Sequence, residues 1–248
     1  MKMNSLVAYA SGLALACASH GAVIEVIHTG IAGHPTAHVP GQAAGVEFRG
    51  PLAAFLTLYG SPTGNYWFLK AFSNEADAVN EVMILGSGNT SSTVAKEGSA
   101  SPLAGLNYGF MDSDCGVNDS GAYTFGNRLS AGTTTDEILF KYDTGTSSIV
   151  SAVREGDVAP GLTDPSGAGN ELFGNSLNSA HILNNGVVRF KADTIQNINT
   201  NFRSALYSGL TVLAQEGTPG PTGTYDSFVA LSGNTISSDA NGAHWIVE

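Results

Sequence analysis

Thr93-Val94-Ala95-Lys96-Glu97-Gly98 is an apolar run closed by a Glu-Gly pair, and the chain uses this device again at two later points. It returns as Ser151-Ala152-Val153-Arg154-Glu155-Gly156 and as Thr211-Val212-Leu213-Ala214-Gln215-Glu216-Gly217. The closing glycines are 156 − 98 = 58 and 217 − 156 = 61 residues apart. A second marker, a glycine followed four residues later by a large apolar residue, falls between these pairs. It occurs at Gly64/Phe68, Gly121/Phe125, Gly186/Phe190 and Gly242/Ile246, at spacings of 57, 65 and 56. Two independent markers in one order and at nearly one period indicate an internally repeated architecture, an array, solenoid or propeller.

Between the markers the units share four strand-like segments in fixed order. The first closes on the Glu-Gly pair (92–97, 149–155, 211–216) and is followed by a loop rich in Gly, Pro, Ser and Thr. The second starts on an aromatic or apolar residue and runs to the marker glycine (108–117, 172–183, 225–236). A third follows that glycine (66–72, 122–129, 187–192, 243–247), and a fourth completes the set (81–85, 137–142, 204–207). These runs alternate apolar and polar residues or are short and β-branched, which is the period-two signal of strands. The best helical candidate, 73–79, has Ala76 where a capping box needs an acidic residue or glutamine, and it reads as a loop.

Four antiparallel strands per unit of about 60 residues predict an all-β, propeller-like fold of about four blades. The N-terminal segment 23–30 fits the first strand type, so it could complete the last blade. The count of segments nevertheless leaves one blade a strand short. An open β-repeat array, or a piece of a larger propeller, is the alternative.

Composition narrows the class. Charged residues are only 12% of the chain, with 10 Lys+Arg against 21 Asp+Glu and a net charge of −11. Solubility must rest on Ser, Thr, Asn and Gly, as in exported β proteins. Nucleic-acid binding needs clustered basic residues that this chain lacks.

The first 22 residues read as an export signal, and 23–248 as the repeat domain. Lys2 supplies the positive start, 6–18 the apolar run and the small residues after it the exit. Cleavage after Ala18 or after Ala22 both fit, and lipidation of Cys17 is a third reading. The apolar run is shorter than the ~20 residues a spanning helix needs. The expected product is periplasmic, extracellular or on the cell surface, monomeric, and engaged with an extracellular ligand or protein. With the signal removed, Cys115 has no partner for an internal disulfide and reads as a packing residue.

Asn118-Asp119-Ser120-Gly121-Ala122-Tyr123-Thr124-Phe125 resembles the N-x-x-G-x-x-A-F signature of a family of bacterial exported tandem-repeat proteins. Arg154-Glu155-Gly156-Asp157-Val158-Ala159-Pro160-Gly161 is similar to the family's companion element. The close match is confined to 118–161. Elsewhere Ser61, Leu183 or Asp239 replaces the asparagine, and Trp67, Arg189 or Trp245 replaces the alanine. The resemblance implies a secreted or surface-anchored, β-propeller-like protein of undefined activity, with no catalytic residues to carry over.

Candidate chemistry is sparse. Glu97, Glu155 and Glu216 could face a common axis and hold a cation or sugar. Their recurrence fits a structural role better, each carboxylate capping a turn while the glycine supplies positive φ. Asp112, Asp114, Asn118 and Asp119 echo a calcium loop, making Ca2+ the one candidate cofactor. The loop's glycine and bidentate glutamate are replaced by Val117 and Tyr123. His28, His34 and His38 are spaced for a metal face only on a helix, which the surrounding Pro/Gly loop does not form. Trp67 and Trp245 could stack on a sugar but occupy packing positions. No nucleophile elbow, P-loop or dinucleotide fingerprint occurs. The sequence supports a binding or structural module, with an extracellular hydrolase or lyase acting on polysaccharide as the alternative.

Overall fold

A computed structural model describes residues 13–16, 23–27, 37–49, 57–130, 135–163, 171–196, 202–221, 223–225 and 236–247. Near the N-terminus β1 (Leu13–Ala16) pairs antiparallel with β2 (Val23–Ile27). The first four-stranded sheet follows, as β3 (Thr57–Gly60), β4 (Trp67–Phe72), β5 (Glu81–Ser87) and β6 (Thr90–Lys96). The second is β7 (Met111–Val117), β8 (Tyr123–Arg128), β9 (Glu137–Asp143) and β10 (Ser148–Arg154). The third is β11 (Leu172–Ile182), β12 (Val188–Gln196), β13 (Ala205–Ser208) and β14 (Thr211–Gln215). Two short pairs close the described chain: β15 (Pro219–Gly220) with β16 (Gly223–Thr224), and β17 (Ile236–Ser238) with β18 (Trp245–Val247).

Each four-stranded sheet is an antiparallel meander in chain order. Its strands are the second, third, fourth and first segment types, so the Glu-Gly strand is the last strand of its sheet. The third and fourth types are central and mostly buried, as in β4 and β5, while β6 at the edge is largely exposed. Two-residue connections, Gly88-Asn89 and Gly209-Leu210, join the last two strands in the first and third sheets. The glycines take φ of 54° and 58°, the conformation such tight hairpins require. The segment 73–79 forms bends and turns rather than a helix. Among the described residues no helix is long and apolar enough to cross a membrane.

The core lies between successive sheets. Phe68, Met83 and Ala95 of the first sheet pack with Met111, Cys115, Phe125 and Phe140 of the second. Leu139 and Val153 of the second join Phe173, Leu177, Phe190 and Tyr207 of the third. The strands leading each sheet make the joints: β7 packs against β3 and β4, and β11 against β7 and β8. These leading strands are bulged. Met111 faces Asn127 and Cys115 faces Phe125, so four steps on β7 match two on β8. The other face of the first sheet, with Leu69, Val82 and Ile84, is covered by Val39 and Phe48.

One pairing differs from expectation. The segment 23–30 could complete the last blade, but its strand β2 pairs with β1, and β18 pairs with β17. The short span between β1 and β2 gives their hairpin a small loop-closure cost, whereas pairing with β18 must close most of the chain. Against the expectation of about four blades, the described residues hold three four-stranded sheets and the two-stranded β17–β18 of a fourth unit. Most of the signal region, Cys17, His20, His28 and His34 lie outside the described residues.

Candidate functional site

The marker glycines hold equivalent turns. In each unit the glycine amide donates to the carbonyl three residues earlier: Gly64 to Ser61, Gly121 to Asn118, Gly186 to Leu183 and Gly242 to Asp239, at 2.8–3.1 Å. All four glycines have φ between 72° and 78°, which an L side chain adopts only with strain. Phe68, Phe125 and Phe190 follow them into the core at 0%, 0% and 2% exposure.

Phe68 stacks on Tyr123 of the next sheet with centroids 4.9 Å apart, and Phe190 stacks on Tyr207 at 5.2 Å. The structure describes no side chain at Ile246.

The Glu-Gly pairs form a second recurrent element. The amides of Gly98, Gly156 and Gly217 donate to the carbonyls of Tyr108, Phe173 and Tyr225, and these aromatic residues donate back to Ser99, Asp157 and Thr218. Each glutamate amide returns to the start of the preceding strand: Glu97 to Glu81, Glu155 to Glu137 and Glu216 to Ser204. The side chains act at the same place. Glu97 Oε2 accepts from the Glu81 amide, Glu155 Oε2 from the amides of Asp136 and Glu137, and Glu216 Oε2 from the Ser204 hydroxyl. These three carboxylates are engaged with the chain itself.

The four marker turns also bond to one another. Asp119 accepts from the Thr63 amide and hydroxyl through Oδ1 and from the Asn184 side-chain amide through Oδ2. The Asn184 amide donates to the Ala240 carbonyl at 2.8 Å. Asn118 is fully buried. Its Oδ1 accepts from Ser120 and Ala122, and its Nδ2 donates to the Leu183 carbonyl.

Two of the four calcium candidates are therefore spent on turn-to-turn bonds. The other two, Asp112 and Asp114, lie in the β7 bulge. No group of three or more His, Cys, Asp or Glu side chains that could hold a metal occurs among the described residues. The remaining candidates have structural surroundings. Cys115 is buried and unpaired, and burial pushes its thiol well above the ordinary value. His38 belongs to an isolated bridge with Glu47. Trp67 is buried and donates to the Gly88 carbonyl at 3.1 Å, tying β4 to the β5–β6 turn.

Sequence reasoning missed a buried ionic joint between the first two sheets. Lys70 Nζ and Glu81 Oε1 are 3.4 Å apart, each side chain 4% exposed. Together they clamp one residue of β7: Glu81 Oε2 accepts from the Met111 amide at 2.5 Å, and Lys70 donates to the Met111 carbonyl. Lys70 also lies 4.4 Å from the centroid of the half-exposed Phe110 ring, a cation–π contact. Beside this clamp the carboxyl groups of Asp112 and Glu137 meet, and Arg128 reaches Glu137 at 3.3 Å. Asp112 Oδ2 is buried, and among the described residues no amide, ammonium, guanidinium or hydroxyl group donates to it.

Two carboxylates in contact are both acceptors, so a proton held on Glu137 supplies the missing donor. Burial first, and the Asp112 charge second, push Glu137 up to about 8. Burial likewise raises Asp112. The available signal was a lone charge inside an apolar strand (Lys70 in Trp67–Phe72) and a glutamate opening both β5 and β9.

Two clefts lie at hairpin ends among the described residues, the first lined by more apolar than polar surface and the second mainly polar. One, of about 320 Å³, lies at the β5–β6 hairpin end beside Tyr66, Ser87, Thr90, Ser91 and Ser92. The other, of about 340 Å³, lies at the β9–β10 hairpin end and reaches the turn of the third unit, with Ser120, Lys141, Asp143, Thr144 and Asn185 on its walls. The Ser91 and Ser92 hydroxyls, the Lys141 ammonium and the Asn185 Nδ2 bond to no described residue. Among the described residues, Asp143 is the one carboxylate lining either cleft.

No curated protein and no solved structure matches the chain. A family model described as "Family of unknown function (DUF7453)" matches residues 29–245, nearly the whole repeat region, and the chain belongs to that family.

Proposed function

We propose that this chain is an exported, propeller-like binding module that presents clefts at its hairpin ends, one of them shared by two repeat units, to an extracellular ligand. The observation that carries this reading is the cleft spanning the second and third units. Its walls come from two units locked together by the Asn118–Leu183 and Asp119–Asn184 bonds, so its shape is held by the fold. Its volume is at the small end of the range for small-molecule sites, about 300–1,000 Å³.

The chemistry on its walls suits recognition better than catalysis. General acid–base hydrolysis needs two carboxylates at a reacting bond. Asp112 and Glu137 form such a pair, but neither lines either cleft. Export is supported by the N-terminal signal pattern and the low charge content. A propeller-like arrangement is supported by the three successive four-stranded meanders, the second and third of which lead with a strand that packs on the sheet before it. The test is an array of extracellular glycans and proteins probed with the purified chain. Saturable binding without turnover supports the reading, and hydrolysis or elimination of a bound glycan would move the protein to the enzyme class.

A further inference from the structure

The two clefts occupy overlapping places in successive units. Aligned on Glu81 and Glu137, Leu85 corresponds to Lys141 and Ser87 to Asp143, and each pair lines its own cleft. In both units the cleft forms where the hairpin joining the last two strands opens beside the start of the third-type strand. The repeat has therefore placed two clefts in one register, the first within its unit and the second opening onto the next.

Their linings differ in polarity, the first more apolar and the second more polar, but each sets hydroxyl groups beside a tyrosine ring, Tyr66 in the first and Tyr142 in the second. The first offers the Ser91 and Ser92 hydroxyls beside the Tyr66 ring. The second offers Ser120, Thr144 and the Asn185 amide, and its one cation, Lys141, is offset by its one anion, Asp143. Hydroxyls and amides with little net charge, beside an aromatic ring, match a ligand made of hydroxyl groups on apolar ring faces. That is the chemistry of a neutral saccharide. A repulsive field from the chain's −11 charge disfavours polyanions.

We propose that the two clefts are subsites for one extended neutral polysaccharide, which bridges successive units. This rests on the binding-module reading and adds the ligand class and its mode of attachment. A ligand whose own units repeat can occupy both positions at once. The second contact is then intramolecular, and affinity rises without any stronger single site.

The experiment titrates the full chain with linear neutral glucan, mannan and galactan, each as short oligomers and as polymer, and with polygalacturonate as the acidic comparison. Isothermal calorimetry reads affinity and stoichiometry. The expected result is a neutral polymer that binds at least about 10-fold tighter per chain than its short oligomers. Ser92→Trp and Asn185→Trp fill one cleft each at exposed positions. Either alone should return the polymer to oligomer-like affinity, and the double variant should lose binding. Circular dichroism and Tm establish that the variants remain folded.

Three outcomes overturn the inference: no neutral polymer binds, affinity is independent of ligand length, or polymer binding survives both substitutions. If glycan binding persists in the double variant, the module reading stands and only the cleft assignment falls. If the chain binds nothing on glycan or protein arrays, both fall.

Discussion

Asp119 Oδ1 accepts from both the backbone amide and the hydroxyl of Thr63, at 2.8 and 2.7 Å, although 56 residues separate the two. The pair joins the marker turn of one unit to that of the next, and the other carboxylate oxygen reaches Asn184 in the unit after. One short side chain thus spans three repeats.

Asp119→Ala should destabilise the chain by about 1–2 kcal/mol, because it removes charge-assisted bonds to two neighbouring turns. Burial acts to raise this carboxyl, but the bonds from Thr63, Asn184 and Ser61 outweigh it and hold the group below its ordinary value. A depressed folded pKa contributes stability that is present above the ordinary aspartate range and lost as pH falls through the folded value. Urea unfolding at neutral pH and at about pH 3 checks both parts. The gap between wild type and variant should narrow in acid.

Gly121 and Gly186 share their turn and their positive φ but differ in surroundings. A Cβ at Gly121 would stand 2.8 Å from Tyr66 Cε1, whereas one at Gly186 meets nothing within 4 Å. Gly186→Ala should therefore cost about 1 kcal/mol, from backbone strain alone. Gly121→Ala should cost roughly 2–3 kcal/mol, because the Tyr66 ring must also move. Equal losses in parallel denaturant titrations would mean that Tyr66 relaxes freely.

Glu137 gives the chain an alkaline liability. Its pKa is raised in the fold, so between the ordinary carboxylate range and about 8 the native state holds a proton that the unfolded chain has lost. Stability is then full below the ordinary glutamate value and falls as pH rises to about 8. The loss should reach roughly 3 kcal/mol, and Glu137→Gln should flatten the dependence. Thermal unfolding of both proteins from about pH 5 to pH 9 makes the comparison. A wild-type Tm that does not fall across that interval would rule out the shared proton.

The Lys70–Glu81 clamp predicts non-additive substitutions. Lys70→Met alone leaves Glu81 as an uncompensated buried charge and should cost about 3–5 kcal/mol. Adding Glu81→Leu should recover part of that loss, since the second change removes the stranded carboxylate. Chemical denaturation of the two singles and the double yields the coupling energy directly.

Much of the architecture was legible because a turn residue with positive φ cannot be hidden. Gly98, Gly156 and Gly217, with Gly64, Gly121, Gly186 and Gly242, mark every repeat, and most of the described strands fall between them within a few residues of their expected positions. Most of the segment 225–236 lies outside the described residues. The Glu-Gly strand itself stops one residue earlier than expected, which moves Glu97, Glu155 and Glu216 into the turn where their carboxylates meet backbone donors. The site was less legible. Asp112, Asp114, Asn118 and Asp119 suggest one calcium loop when read along the chain. In space Asn118 and Asp119 turn toward neighbouring units, and Asp112 meets Glu137.

By itself the sequence determined the repeat, the strand order and the class of the fold, because turn chemistry and period-two patterning act over a few residues. The tertiary structure alone decided which charges pair. Lys70 finds Met111 across a sheet joint, Glu137 finds Asp112, and two hairpin ends become clefts of one register. Those choices depend on which sheet faces are pressed together and which carboxyls lose their water, and neither is written in local spacing.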